Sequence, residues 1–167
     1  LPDARGGQIR LSTLLADGPV VLSFYRGGWC PYCNLELRAL QRSLSVLQAL
    51  GASLVAVSPQ TPDASLSTAE RNALEYPVLS DTGSTVAKAF GIAFDLADEL
   101  RPIYAGFGHA LPDLNGDDGW VLPIPATYVI DRDRTIVLAY VDTDYRTRLE
   151  PADIVAALSV LTRRAAA

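Results

Sequence analysis

The chain holds two cysteines, Cys30 and Cys33, three positions apart in the run Trp29-Cys30-Pro31-Tyr32-Cys33. Two thiols at that spacing can cycle between dithiol and disulfide if one of them gives up its proton. The thiolate is the nucleophile, and an ordinary cysteine near pH 7 is mostly protonated. The start of a helix corrects this, because its unpaired N–H groups and its dipole favour negative charge. Cys30 stands at such a start: the apolar run Val20-Val21-Leu22-Ser23-Phe24-Tyr25 suits a buried central strand and ends at Arg26-Gly27-Gly28. Leu37, Leu40, Leu44 and Leu47 then follow at helical spacing, and Pro31 fits the first helical position, where its missing N–H costs nothing. Cys30 is expected to carry the lower pKa. Cys33, one turn further in, is close enough to attack an oxidised Cys30.

A structural role suits the pair less well. A disulfide closing so small a ring stabilises by only about 2 kcal/mol in the chain-entropy model. A structural zinc takes four ligands, and His109 is the one histidine available. No metal and no cofactor is expected. A cysteine count of two, without the wider spacings of a secreted disulfide framework, points to redox chemistry in a reducing cytoplasm.

The elements that must hold these thiols alternate between strand and helix. Gln8 to Leu15 reads as a short strand and turn. After the Cys30 helix, which Gly51 stops, come a strand at Ala52 to Ser58, a turn at Pro59 to Asp63 and a helix at Ser67 to Leu74, opened by Ser67 with Glu70 three residues on. A short strand at Tyr76 to Ser80 and a helix at Ser84 to Phe90 follow. Phe94 to Val121, rich in proline and glycine, reads as irregular with one helix near Asp98 to Phe107; a stretch this long is either functional or partly helical. Thr127 to Ile130 and Thr135 to Val141 form a hairpin around Asp131 to Arg134, and Pro151 opens a last helix with Ile154, Val155, Leu158 and Leu161 inward. The result is an α/β chain with a mixed central sheet flanked by helices, the thioredoxin pattern. It reads as a single domain over residues 1–167, with a small tail at Ala165 to Ala167.

With 14 basic and 19 acidic side chains and a net charge of −5, the chain lacks the basic field that nucleic acid demands. No apolar run approaches the roughly 20 residues of a membrane span. A sequence beginning Leu1-Pro2-Asp3 is expected to have lost residues upstream.

Two resemblances follow from these residues. The Trp29-to-Cys33 run resembles the active-site motif of thioredoxins and glutaredoxins, and Ile124-Pro125-Ala126-Thr127-Tyr128-Val129-Ile130-Asp131 resembles the segment in which that superfamily sets a cis-proline beside the redox sulfur. A narrower one spans nearly the whole chain. Leu1-Pro2-Asp3, Phe24-Tyr25-Arg26-Gly27-Gly28-Trp29-Cys30, Leu122-Pro123-Ile124-Pro125-Ala126-Thr127 and Asp144-Tyr145-Arg146-Thr147-Arg148-Leu149-Glu150-Pro151 are similar to the peroxiredoxin-like branch of the alkyl hydroperoxide reductase and thiol-specific antioxidant family. That resemblance implies a hydroperoxide substrate, Cys30 as the peroxidatic residue, Cys33 as the resolving one, and a thioredoxin-like or small-thiol reductant. A homodimer is left open. Trp29, Pro31, Pro125 and Arg26 would support the site.

The pattern departs from the family at Ser23 and Gly27, where a proline and a Thr or Ser are usual, and Pro125 to Asp131 holds no arginine. The buried acid that thioredoxins carry in the central strand is replaced by the Ser23-Phe24 region. Arg26, four residues before Cys30, is then the cation available to favour a thiolate, against the alternative of a solvated arginine paired with a surface carboxylate. His109, Tyr145, Arg146 and Arg148 read as surface or capping residues, and Asp113 to Gly119 as a solvated turn. Two other functions stay open beside a peroxidase: a thioredoxin-type thiol–disulfide oxidoreductase, and a non-catalytic binding module.

Overall fold

The structure, a computed structural model, describes residues 1–165. Of the tail expected at 165–167, Ala165 ends the last helix, and residues 166 and 167 lie outside the described residues. In chain order the elements are α1 (Leu11–Asp17), β1 (Val20–Phe24), α2 (Pro31–Ala49), β2 (Ser53–Ser58), α3 (Pro62–Arg71), β3 (Val78–Ser80), α4 (Thr85–Ala89) and β4 (Ala93–Asp95). A 3-10 turn at Asp98–Leu100 leads to α5 (Arg101–Gly106), α6 (Leu111–Asn115), β5 (Val121–Pro123), β6 (Ala126–Ile130), β7 (Ile136–Val141) and α7 (Pro151–Ala165).

The five-stranded sheet runs β3-β2-β1-β6-β7, so the apolar run before the cysteines is its central strand. β1 pairs parallel with β2 (Leu22 opposite Val55) and antiparallel with β6 (Ser23 opposite Thr127). All five of its residues are buried, because helices cover both faces; that is why its sequence is continuously apolar instead of alternating. Side chains still alternate between faces. Val21 and Tyr25 join Cys30, Cys33, Leu37, Leu40, Leu44 and Leu47 of the α2 side, with Ile154, Leu158 and Leu161 of α7. Val20, Leu22 and Phe24 join Leu15, Ala87 and Ile92 on the opposite face. Leu37 and Leu47 are fully buried, and each such leucine contributes about 2 kcal/mol through removal from water. These leucines fix the roll of α2, and with it the direction of the two thiols at its start.

Three readings from the sequence are corrected. Residues 11–17 form a helix in place of a strand and turn; only Gln8 makes an isolated bridge, to Pro2. α3 begins at Pro62, capped by Thr61, whose Oγ1 accepts from Ala64 N. Ser67 lies inside that helix and bonds back to the Asp63 carbonyl, the usual way a serine is accommodated mid-helix. In the 94–121 stretch the helix expected near Asp98 to Phe107 is present as the 3-10 turn and α5, and the remainder, expected to be irregular, is ordered by a two-stranded antiparallel sheet, β4 with β5, and by α6, packed around Leu96, Leu111 and Leu122.

Candidate active site

β1 delivers the chain to the turn Arg26-Gly27-Gly28-Trp29, and Cys30 is the residue that caps α2, with Pro31 first inside. The turn is pinned from several sides. Gly28 N donates to Gln60 Oε1 at 2.7 Å, and the Gly28 carbonyl accepts from Asn34 Nδ2 at 2.8 Å and Arg71 Nη1 at 3.3 Å. Asn72 Nδ2 in turn holds Asn34 Oδ1 at 2.8 Å. Both glycines are required by space. A Cβ on Gly27, whose φ is +154°, would lie 2.3 Å from the Trp29 indole nitrogen, and one on Gly28 would lie 2.1 Å from Thr68 Oγ1. The Thr or Ser usual at position 27 would displace Trp29.

Both thiols are free and buried, Cys30 1% exposed and Cys33 fully covered. The Cys30 pKa is pulled down to about 6, first by the hydrogen bond from the Cys33 thiol, against the opposing effect of burial, and then by the Cys33 backbone N–H and the charges of Arg26 and Arg148. Cys33 moves the other way: it holds its proton because it donates to Cys30 and because it is buried. The expected ordering of the two thiols is therefore the one found. Alkylation of the reduced protein by iodoacetamide should begin at Cys30 with a pH midpoint near 6, about two to three units below an ordinary cysteine. Peptide mapping that shows Cys33 modified first at neutral pH would reverse the ordering.

Arg26 is not a solvated surface residue. It is 5% exposed, and its Nη2 donates to the Tyr104 hydroxyl. Its guanidinium carbon lies 4.9 Å from the Trp29 ring centre, 4.6 Å from that of Tyr145 and 5.8 Å from that of Tyr104. His109 stacks on Trp29 with ring centres 4.8 Å apart. Together with Tyr32 and Phe107 these side chains line an open pocket of about 180 Å³ that has Cys30 and Pro31 in its wall. The Arg26 Nε and Trp29 Nε1 donors have no partner among the described residues. Arg26, Trp29, Cys30 and Pro31 thus share one site.

Pro125 does not line that pocket, and the described residues contain no cis peptide bond. The expectation of a cis-proline is corrected here. The chain passes from β5 through Ile124, whose N–H donates to Ile92 O, and Pro125 directly into β6.

A buried acid is present, but it comes from the helix. Glu36, 6% exposed, receives Arg148 Nε on Oε2 at 2.6 Å and Thr127 Oγ1 on Oε1 at 3.3 Å. Ser23, at the position where the family usually has proline, lies opposite Thr127. Burial raises the Glu36 pKa, and the Arg148 charge opposes that rise. Arg148 Nη2 also reaches Cys33 Sγ at 3.4 Å. Sequence reasoning missed both residues as a unit. The available signal was Glu36 itself, a charge in the buried stripe of Cys33, Leu37 and Leu40.

Residues 1–139 match the AhpC/TSA family. A peroxiredoxin of Mycobacterium tuberculosis is 38% identical over 103 residues, 62% of this chain and 67% of that protein. The chloroplastic peroxiredoxin Q of Gentiana triflora is 28% identical over 140 residues, 84% of this chain and 54% of its own length. Among solved structures, the peroxidoxin BcpB of Mycobacterium tuberculosis superposes with a TM-score of 0.76 at 29% identity, covering 96% of this chain and 91% of that one. The strand-turn-helix that presents Cys30, the mixed sheet behind it and these matches lead to one conclusion: the chain belongs to the AhpC/TSA family and is a peroxiredoxin-like thiol oxidoreductase of thioredoxin-like fold.

Proposed function

We propose that this protein reduces hydroperoxides with the Cys30 thiolate. Residues 1–167 would act as one domain. The observation that carries the reading is the Cys30 thiol, held well below its ordinary pKa, in the wall of an open pocket that Arg26 and Trp29 also line. The thiolate attacks the peroxide oxygen, the O–O bond breaks, and the leaving alkoxide or hydroxide takes a proton; Cys30 becomes a sulfenic acid. Cys33 condenses with it to a disulfide and releases water, and a thioredoxin-like protein or a small thiol returns the pair to the dithiol. A reducing, cytoplasmic setting suits that cycle, since the oxidised pair must be reduced again at each turnover. Among the described residues no helix is long and apolar enough to cross a membrane.

Mixing the reduced protein with hydrogen peroxide and with an organic hydroperoxide, while following tryptophan fluorescence, tests the reading. Rapid oxidation to an intramolecular disulfide is expected. Disulfide exchange with no response to either peroxide would instead favour the thioredoxin-type activity, and an inert Cys30 a binding role.

Arg26 contributes to this reading in two ways. Its charge favours the thiolate, and its side chain lines the pocket that has Cys30 in its wall. Arg26→Gln should raise the Cys30 pKa by about one unit and slow peroxide oxidation by up to about tenfold below pH 6, where the thiolate fraction follows the pKa, and by less at neutral pH. Parental values for both at low and high salt would reduce Arg26 to a packing role among the aromatic rings.

A further inference from the structure

Arg148 lies on the link between β7 and α7, 115 residues from Cys33, yet its guanidinium occupies the space beneath the second thiol. Nη2 faces Cys33 Sγ at 3.4 Å, Nε is bound to Glu36 at 2.6 Å, and Nη1 donates to the carbonyl of Thr147. The two charged side chains are 13% and 4% exposed. Such a pair is a weak source of stability, because removing both charges from water offsets much of their attraction. Its position against a sulfur calls for a different explanation.

We propose that Arg148 is a catalytic residue of the resolving step, stabilising the Cys33 thiolate that attacks oxidised Cys30, and that Glu36 is the positioning residue that aims its guanidinium. This inference rests on the peroxide reading above. In the reduced protein Cys33 has no reason to ionise, since its proton is shared with the Cys30 thiolate. Conversion of Cys30 to a sulfenic acid removes that negative charge and that acceptor. The other groups facing Cys33 are then the Tyr25 hydroxyl at the end of β1, kept neutral by burial, the Arg26 backbone, and Arg148. Glu36, one turn on in α2, and Tyr76 beside it complete the set, and Tyr76 is also kept neutral by burial. Arg148 is thus the cation in contact with the sulfur when that sulfur must ionise.

The step balances without an outside reagent. Cys33 loses its proton, and its thiolate attacks Cys30 Sγ. The S–S bond forms as the S–O bond breaks, the bonding pair leaves with oxygen, and the departing hydroxide gains the released proton and leaves as water. Cys33 is oxidised and the Cys30 sulfur reduced, both to the disulfide level.

The test separates oxidation from closure. Reduced protein is mixed with hydrogen peroxide, fluorescence records the phases, and samples quenched with a sulfenic-acid probe report how much Cys30 sulfenic acid is present. Arg148→Gln is expected to slow closure by about tenfold, to raise the pH midpoint of closure by about one unit, and to accumulate probe-reactive sulfenic acid. Its oxidation phase should change by less than about threefold, since Arg148 is the last of the influences on Cys30. The double variant Glu36→Gln/Arg148→Gln removes both buried charges and should show the same slow closure in a soundly folded protein. Closure at the parental rate and pH midpoint in both variants would overturn the inference, as would a loss of oxidation equal to the loss of closure. A parent protein left reduced by peroxide would instead overturn the peroxide reading on which it rests.

Discussion

Cys30→Ser is expected to lower peroxide turnover by at least about a thousandfold, whereas Cys33→Ser should keep the first oxidation and stop at the sulfenic acid. The first effect is large because a serine hydroxyl is not ionised near neutral pH and cannot serve as the peroxide's nucleophile. The second variant retains a hydroxyl that can donate where the Cys33 thiol did, so the Cys30 thiolate keeps its chief support. Without a resolving thiol the sulfenic acid is open to further oxidation, and its sulfinic product should appear at high peroxide. Intact-mass measurement after one equivalent of peroxide checks both: no added oxygen in Cys30→Ser, one in Cys33→Ser, and a loss of two hydrogens in the parent. The opposite assignment of the cysteines would hold if Cys30→Ser gained the oxygen and Cys33→Ser did not.

The second large effect is on stability. Arg148→Leu leaves Glu36 buried among Cys33, Leu37 and Leu40 without its cation, and breaking a buried pair on one side costs about 3–5 kcal/mol. Glu36→Leu/Arg148→Leu removes both charges and should recover most of the loss, so the pair is strongly coupled in a double-mutant cycle. The pH dependence has a definite sign. In the single variant the folded pKa of Glu36 lies further above its unfolded value of about 4.3, so the folded state binds more protons in that window and stability falls as pH rises through it. The deficit of Arg148→Leu should therefore shrink as urea unfolding is moved from pH 8 towards pH 5. Equal stability of the single and double variants at pH 7 would show that the carboxylate is not held unpaired and dry.

The sequence was most legible where one physical requirement dominates. β1 is covered on both faces and so reads as an unbroken apolar run, and α2 has one buried stripe and a proline at its first position. The final hairpin and α7 were equally clear. α1 was missed because its preceding residue, Arg10, supplies no capping side chain and its seven residues bury only Leu15. Ser67 with Glu70 imitated a helix start inside α3, and the true cap, Thr61, precedes a proline that had been read as part of a turn. At the site, Cys30, Cys33 and Arg26 are neighbours along the chain. Glu36 and Arg148 meet across 112 residues, and nothing local to Arg148 distinguishes it from the charged residues around it. Tyr104 lies in the helix expected near Asp98 to Phe107 and His109 in the irregular residues after it, and their contacts with Arg26 and Trp29 have no local signature.

The small β4–β5 sheet gives the molecule a division of labour. Tyr104, Phe107 and His109 reach the pocket from a unit whose own core is three leucine side chains, Leu96, Leu111 and Leu122, while the thiols sit on α2 and the central sheet. A unit with so little buried apolar surface is at the low end of local stability. It can open, or diverge in sequence, with little disturbance to the hydrogen bond between the two sulfurs or to the Glu36–Arg148 pair below them. Selectivity and reactivity are thus expected to be separable: changes in the outer wall should alter which peroxides fit more than they alter the sulfur chemistry behind it.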